Sequence, residues 1–216
     1  MKKDAPHILL INPWIHDFAA YDFWAKPLGL LTLGGILRKQ GYSITYLDCL
    51  DRFHPRAKPR HTPGKYGKGH YLKTPIQKPA VLADVSRTYS RYGLPESFVR
   101  KKLANVPKPQ AVLVTSLMTY WYPGVFGAIG LVREVMPNVP IILGGIYATL
   151  CREHAVKHAG ADRVLPGEGE ASASKTLDEI TGFTSSKALD TDNLDTYPKP
   201  CHELQRAIPY IPILTG

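Results

Sequence analysis

Cysteine is scarce: Cys49, Cys151 and Cys201 are odd in number and far apart in 216 residues. That pattern excludes a disulfide framework and a CxxC metal knuckle, and it predicts reduced thiols. Long apolar runs are missing too. No stretch approaches the ~18 consecutive apolar residues of a membrane span, and Asn12-Pro13 interrupts the first apolar run before it could act as a signal peptide. A cytoplasmic protein is expected. The dinucleotide fingerprint GxGxxG does not follow that first run, where Asn12-Pro13-Trp14 stands instead, and this argues against a NAD enzyme. Acidic residues are few between Arg52 and Lys108, so most of the net charge of +9 sits there. A basic insertion in an otherwise balanced domain describes this distribution. Such a patch suits nucleic acid, an acidic cofactor, an acidic partner, or only water.

The apolar residues that are there, 44% of the chain, suffice for a globular core and recur in an alternating order. Residues 7–11 (HILLI) read as a buried strand stopped by Asn12-Pro13. Residues 27–40 predict a helix, with Leu28, Leu31, Leu33, Ile36 and Leu37 as its apolar positions, a proline at its start and Gly41 past its end. A second strand over 42–47 completes a right-handed β-α-β unit. The alternation then breaks. Residues 51–94 are rich in Pro, Gly, Lys, Arg and Tyr without a sustained period, and they open a long insertion that runs to 108 and carries a short helix over 95–103. Beyond it, strands are expected over 111–115, 140–143 and 163–165, and helices over 123–136, 149–159 and 168–180. The whole predicts an α/β domain over 1–182: a Rossmann-like, flavodoxin-type five-stranded parallel sheet with helices on both faces.

Ligands of such sheets bind beyond the carboxyl ends of the strands. In VPIILGGIYATL (139–150) a strand meets a glycine turn and then a helix; Gly144 and Gly145 allow positive φ and the close approach of a bulky ligand, or serve only as the turn. The loop from Thr115 to Tyr122 joins hydroxyls to three consecutive aromatics, suited to a ligand's polar edge and flat face or to an interface. In Gly167-Glu168-Gly169-Glu170 the glycines make a turn, and Glu168 either favours the helix N-terminus or accepts a hydrogen bond from a ligand. The candidate cofactor-binding residues are Pro13 and Trp14; Thr115, Ser116, Leu117, Thr119 and Tyr120; Gly144, Gly145, Ile146 and Tyr147; and Gly167, Glu168 and Gly169. None is singled out as catalytic or as a metal ligand.

Four segments in fixed order, PLGLLTLGGILRKQGYSITYLD, TSLMTYWYPG, IILGGIYATL and GADRVLPGEGE, resemble the N-terminal cobalamin-binding domain of B12-dependent radical SAM proteins over almost the whole chain. The resemblance implies that cobalamin lies over the carboxyl strand edge, its dimethylbenzimidazole tail running beside the sheet. Thr115, Leu117 and Thr119 would flank the tail, Gly144 and Gly145 would turn beside it, and Gly167-Glu168-Gly169 would close over it. The wider superfamily's Asp-x-His-x-x-Gly is missing: His16-Asp17 has the wrong order, and Asp51-Arg52-Phe53-His54 follows the wrong strand. Base-off binding without a histidine ligand is therefore implied, and His16 is not expected to be axial.

Residues 183–207 read as a linker, and 208–216 as the first strand of a radical SAM barrel. In the resembled family that strand leads into CxxxCxxC, whose thiolates hold a [4Fe-4S] cluster with S-adenosylmethionine on its fourth iron. The chain is thus expected to be a fragment without its C-terminal barrel in cis, not catalytic alone, serving methyl transfer or another radical step by holding cobalamin. Two other readings stand beside this one. The basic Tyr-rich insertion suits an interaction or nucleic-acid-binding domain, and the sheet suits a flavodoxin-like FMN domain, although no Gly-rich phosphate loop is present.

Overall fold

The first apolar run becomes the central strand. The computed structural model describes residues 5–57, 64–185, 190 and 193–212. In β1 (His7–Asn12), Ile8 and Leu10 enter one core while Leu9 and Ile11 enter another, so burial on both faces explains a run without polar alternation. The chain continues through β2 (Ile15–Asp17), β3 (Tyr21–Asp22), α1 (Leu28–Gln40) and β4 (Ser43–Asp48). The insertion holds β5 (Gly69–His70), β6 (Lys73–Pro75), β7 (Ser90–Tyr92) and α2 (Glu96–Asn105). Then come β8 (Ala111–Val114), α3 (Tyr122–Val135), β9 (Ile141–Leu143), α4 (Ile146–Leu150), α5 (Arg152–His158), β10 (Arg163–Val164) and α6 (Gly169–Thr181).

Among the described residues, five parallel strands form one sheet in the order β4-β1-β8-β9-β10. This is the flavodoxin-type order, in which the direction of strand addition reverses between β1 and β8. Helices α1 and α6 cover one face, where Leu33, Leu37 and Leu177 meet Leu10, Leu113 and Ile142. Helices α2, α3 and α4 cover the other, where Leu103, Ile129 and Tyr147 meet Leu9, Ile11 and Val114. Helix α1 stops where the sequence predicts. Gly41 takes φ 104°, Tyr42 N–H reaches Leu37 C=O at 3.0 Å and Gly41 N–H reaches Arg38 C=O at 3.1 Å, the bonding that an αL glycine allows at a helix end.

Three expectations need correction. The insertion is not structureless: β7 pairs antiparallel with both β2 and β6, and β5 pairs with β3. Its partners lie in the loop after β1, so no local period could announce them. The helix expected over 149–159 begins at Ile146 and breaks at Cys151, which leaves helical geometry with φ −122° and ψ 42°. No strand forms over 208–212, and the remaining 213–216 of that expected strand lie outside the described residues. The segment before it lies along α1, where a Cβ on Gly35 would stand 2.6 Å from Lys199 O and Cys201 N–H donates to Leu31 O at 3.0 Å.

Several of the insertion's cations are engaged internally. Arg52 Nε lies 2.7 Å from Asp22 Oδ2, both side chains buried, and Arg91 pairs with Glu96 at 2.8 Å. Lys68 sits 4.8 Å above the Phe23 ring and Lys65 4.9 Å above that of Tyr66.

Candidate functional site

Beyond β8 and β9, α1 and α6 part and leave a cleft of about 190 Å³. Buried Leu30, Leu33, Leu113, Ile142 and Ala173 form its apolar floor. Thr115, Gly144 and Gly145 come from the strand ends, and Gly167, Glu168 and Gly169 from the turn before α6. Three of the segments singled out in sequence therefore meet at one opening, on the edge of the sheet where this topology places ligands.

A set of hydrogen bonds holds the strand-end loops in place. Ser116 Oγ donates to Gly144 O at 3.0 Å and accepts from Tyr147 N–H at 3.0 Å, while Ser116 O accepts from Ile146 N–H at 2.9 Å. These bonds satisfy amides in the first turn of α4, which is why that helix starts directly after the glycines. The two glycines have different work. Gly145 sits at φ 90°, and a Cβ there would stand 2.4 Å from Ser116 O, so the turn itself demands glycine. At Gly144 the nearest atom to a Cβ is Leu165 O at 3.8 Å, which leaves the space in front of it to the cleft. Thr149 Oγ1 accepts from Gly167 N–H at 2.9 Å and ties the α6 turn to the same framework.

The other candidates lie elsewhere. Pro13 is buried, and Trp14 is a core side chain on the α2/α3 face, its indole N–H donating to Leu94 O at 2.8 Å. Tyr147 is also core, stacked on Tyr122 at 5.6 Å and hydrogen-bonded to His154 Nδ1 at 2.6 Å. Burial pushes its phenol up to about 12. Ser116 is buried in the bonds just described, and Leu117 and Thr119 are half-buried outside the cleft. Tyr120 and Ile146 are exposed, as are the apolar side chains of Met118 and Leu150.

His16 also turns away from the cleft. Its ring packs toward α3, where a Cβ on Gly127 would stand 3.3 Å from Cε1, and its backbone pairs with Arg91. Burial first, then Arg91, lowers its pKa to about 4 against an opposing pull from Glu96, so it is neutral at pH 7.

Sequence reasoning missed Gly29, Leu33, Ala173 and Glu170, which also line the cleft. Helical spacing carries a signal for some of them: 170, 173 and 177 share one face of α6, and 30, 33 and 37 share one face of α1.

No known family's sequence profile matches the chain. A cytidylyl-2-hydroxyethylphosphonate methyltransferase of Streptomyces wedmorensis is 24% identical over 182 residues, which take in 82% of this chain and 29% of that protein. The chain thus spans less than a third of the length of that curated relative. Among solved structures, the methanol:cobalamin methyltransferase complex of Methanosarcina barkeri aligns with a TM-score of 0.49 at 15% identity, over 86% of this chain and 50% of that one. A cobalamin-binding protein from Desulfitobacterium hafniense aligns with a TM-score of 0.44 at 12% identity, over 83% and 60% respectively.

Proposed function

We propose that this chain is a cobalamin-binding domain, with the cofactor's nucleotide tail in the α1/α6 cleft and its corrin over the strand ends. The supporting observation is the meeting of Thr115, Gly144, Gly145, Gly167, Glu168 and Gly169 in one cleft at the carboxyl edge of a flavodoxin-type sheet. The dimensions fit. A cleft of about 190 Å³ is too small for a whole cofactor but suits one flat ring system. The body of a larger ligand would then lie outside, where Met118, Tyr120, Ile146 and Leu150 offer apolar surface. Among the described residues no histidine lines the cleft, and His16 is packed against α3, which suits base-off binding without a histidine ligand.

The same chemistry disfavours the alternatives. Among the described residues the charged groups lining the cleft are Glu168 and Glu170, so any ligand's phosphate must lie outside it, and the Gly-rich loop that would hold the phosphate of FMN is missing after β1, where Asn12-Pro13-Trp14 stands. Several cations of the insertion are already paired or stacked internally, which weakens the nucleic-acid reading.

In this proposal the domain belongs to a methyltransferase-like radical SAM enzyme of the cytoplasm. A C-terminal barrel in cis would hold the [4Fe-4S] cluster and S-adenosylmethionine. The relative from Streptomyces wedmorensis is itself named a methyltransferase, which supports the transfer class. Bound cobalamin would supply the methyl carrier. This chain's residues bind and orient it: the glycines keep the cleft open, Ser116 fixes the loops, and the leucine floor excludes water. The test is a titration with hydroxocobalamin followed in the visible. Saturable binding with a base-off spectrum is expected, whereas a spectrum unchanged at saturating protein rejects the proposal.

A further inference from the structure

Apolar packing does not explain Glu170. It lines the cleft, and its Oε2 is shielded from water with no hydrogen-bond partner among the described residues. The first turn of a helix favours an acid, but the neighbouring Glu168, exposed to solvent, meets that preference without desolvation. The position is also firmly held. Ser174 Oγ lies 3.1 Å from Glu170 O and 2.9 Å from Gln40 Oε1 and shares its one proton between them, which fastens this turn of α6 to the end of α1. A shielded carboxylate oxygen without a donor is costly, so a donor brought by the cleft's occupant would complete the site.

We propose that Glu170 is the specificity-determining residue of the cleft, accepting a hydrogen bond from a sugar hydroxyl of the cofactor's nucleotide loop. This rests on the cobalamin reading above and names the part of the ligand that is recognised. The carboxylate accepts only, so its partner must be a donor. The loop's phosphate is anionic and repelled, and the free nitrogen of the dimethylbenzimidazole ring is itself an acceptor. The ribose hydroxyl, attached next to the ring that fills the leucine-lined floor, is the donor carried closest.

The test compares two ligands on three proteins. Hydroxocobalamin carries the nucleotide loop, and dicyanocobinamide has the corrin and its amides without that loop. Wild type, E170Q and E170A are titrated with each, and thermal melts confirm that all three fold alike. Truncation in E170A is expected to weaken hydroxocobalamin binding about tenfold, the loss of one hydrogen bond to a charged group. E170Q, which keeps an acceptor, falls between the two. Cobinamide affinity stays the same in all three. Equal cobalamin affinity in wild type and E170A overturns the proposal, and so does an equal loss for both ligands, because that marks a merely structural role. A wild type that binds neither ligand sinks the cobalamin reading and this assignment with it.

Discussion

On the α2/α3 face, a Cβ on Gly124 would stand 2.0 Å from Trp14 O, and one on Gly93 would stand 2.2 Å from Cys49 O. Beside the cleft on the α1/α6 face, a Cβ on Gly29 or Gly169 would meet nothing within 4 Å among the described residues, and one on Gly144 would meet only Leu165 O among them, at 3.8 Å. The same residue type thus does two jobs. At Gly124 and Gly93 glycine lets backbones touch, and at Gly29, Gly144 and Gly169 it keeps a space empty. Substitution should therefore cost stability at the first two positions and ligand binding at the glycines that line the cleft without close neighbours.

The largest stability effect is expected at Gly124. Gly124→Ala forces a methyl against backbone that cannot rotate away and should cost on the order of 3 kcal/mol, read as a lower denaturation midpoint. An unchanged midpoint would break the contrast at its firmest point. Next is His16, also on the packed face. Its folded pKa, about 4, lies below the ordinary value of 6.5, so between those values the unfolded chain binds more protons and stability falls as pH falls. The expected loss is about 2 kcal/mol between pH 7 and pH 4, discounted because part of the ring stays near solvent. In His16→Gln the part of the acid slope due to this residue should disappear. Ser116→Ala removes two hydrogen bonds from the strand-end loops and should cost about 1 kcal/mol, measured in the same melts. Gly29→Ala, in an open helical position beside the cleft, sharpens the contrast from the other side: stability should stay level or rise by up to ~1 kcal/mol.

Sequence pattern reached the sheet but not the small antiparallel pairings. The runs HILLI, AVLV and IIL are buried on both faces in the structure, and such runs need no partner to be recognised. Strand β7 is recognisable only once Ile15 stands opposite Tyr92, a pairing across most of the insertion. The site was legible in the same uneven way. Gly144, Gly145 and Gly167 stood out as turn residues and all three line the cleft, although at Gly145 the turn itself demands glycine. Trp14 and Tyr147 follow strands directly and were expected near a ligand. They point inward because the α2/α3 face closes over them, which only the assembled layers decide. Glu170 escaped because its shielding depends on α1 packing against α6.

The most direct test of the central claim is calorimetric binding of hydroxocobalamin to wild type, Gly144→Phe and Gly130→Phe. Gly130 is an exposed glycine of α3 with nothing among the described residues within 4 Å of its Cβ position, on the face away from the cleft. If the cleft takes the cofactor's tail, all three proteins melt alike, Gly130→Phe binds as wild type does, and Gly144→Phe loses at least about tenfold in affinity. Undiminished binding by a folded Gly144→Phe would contradict the account.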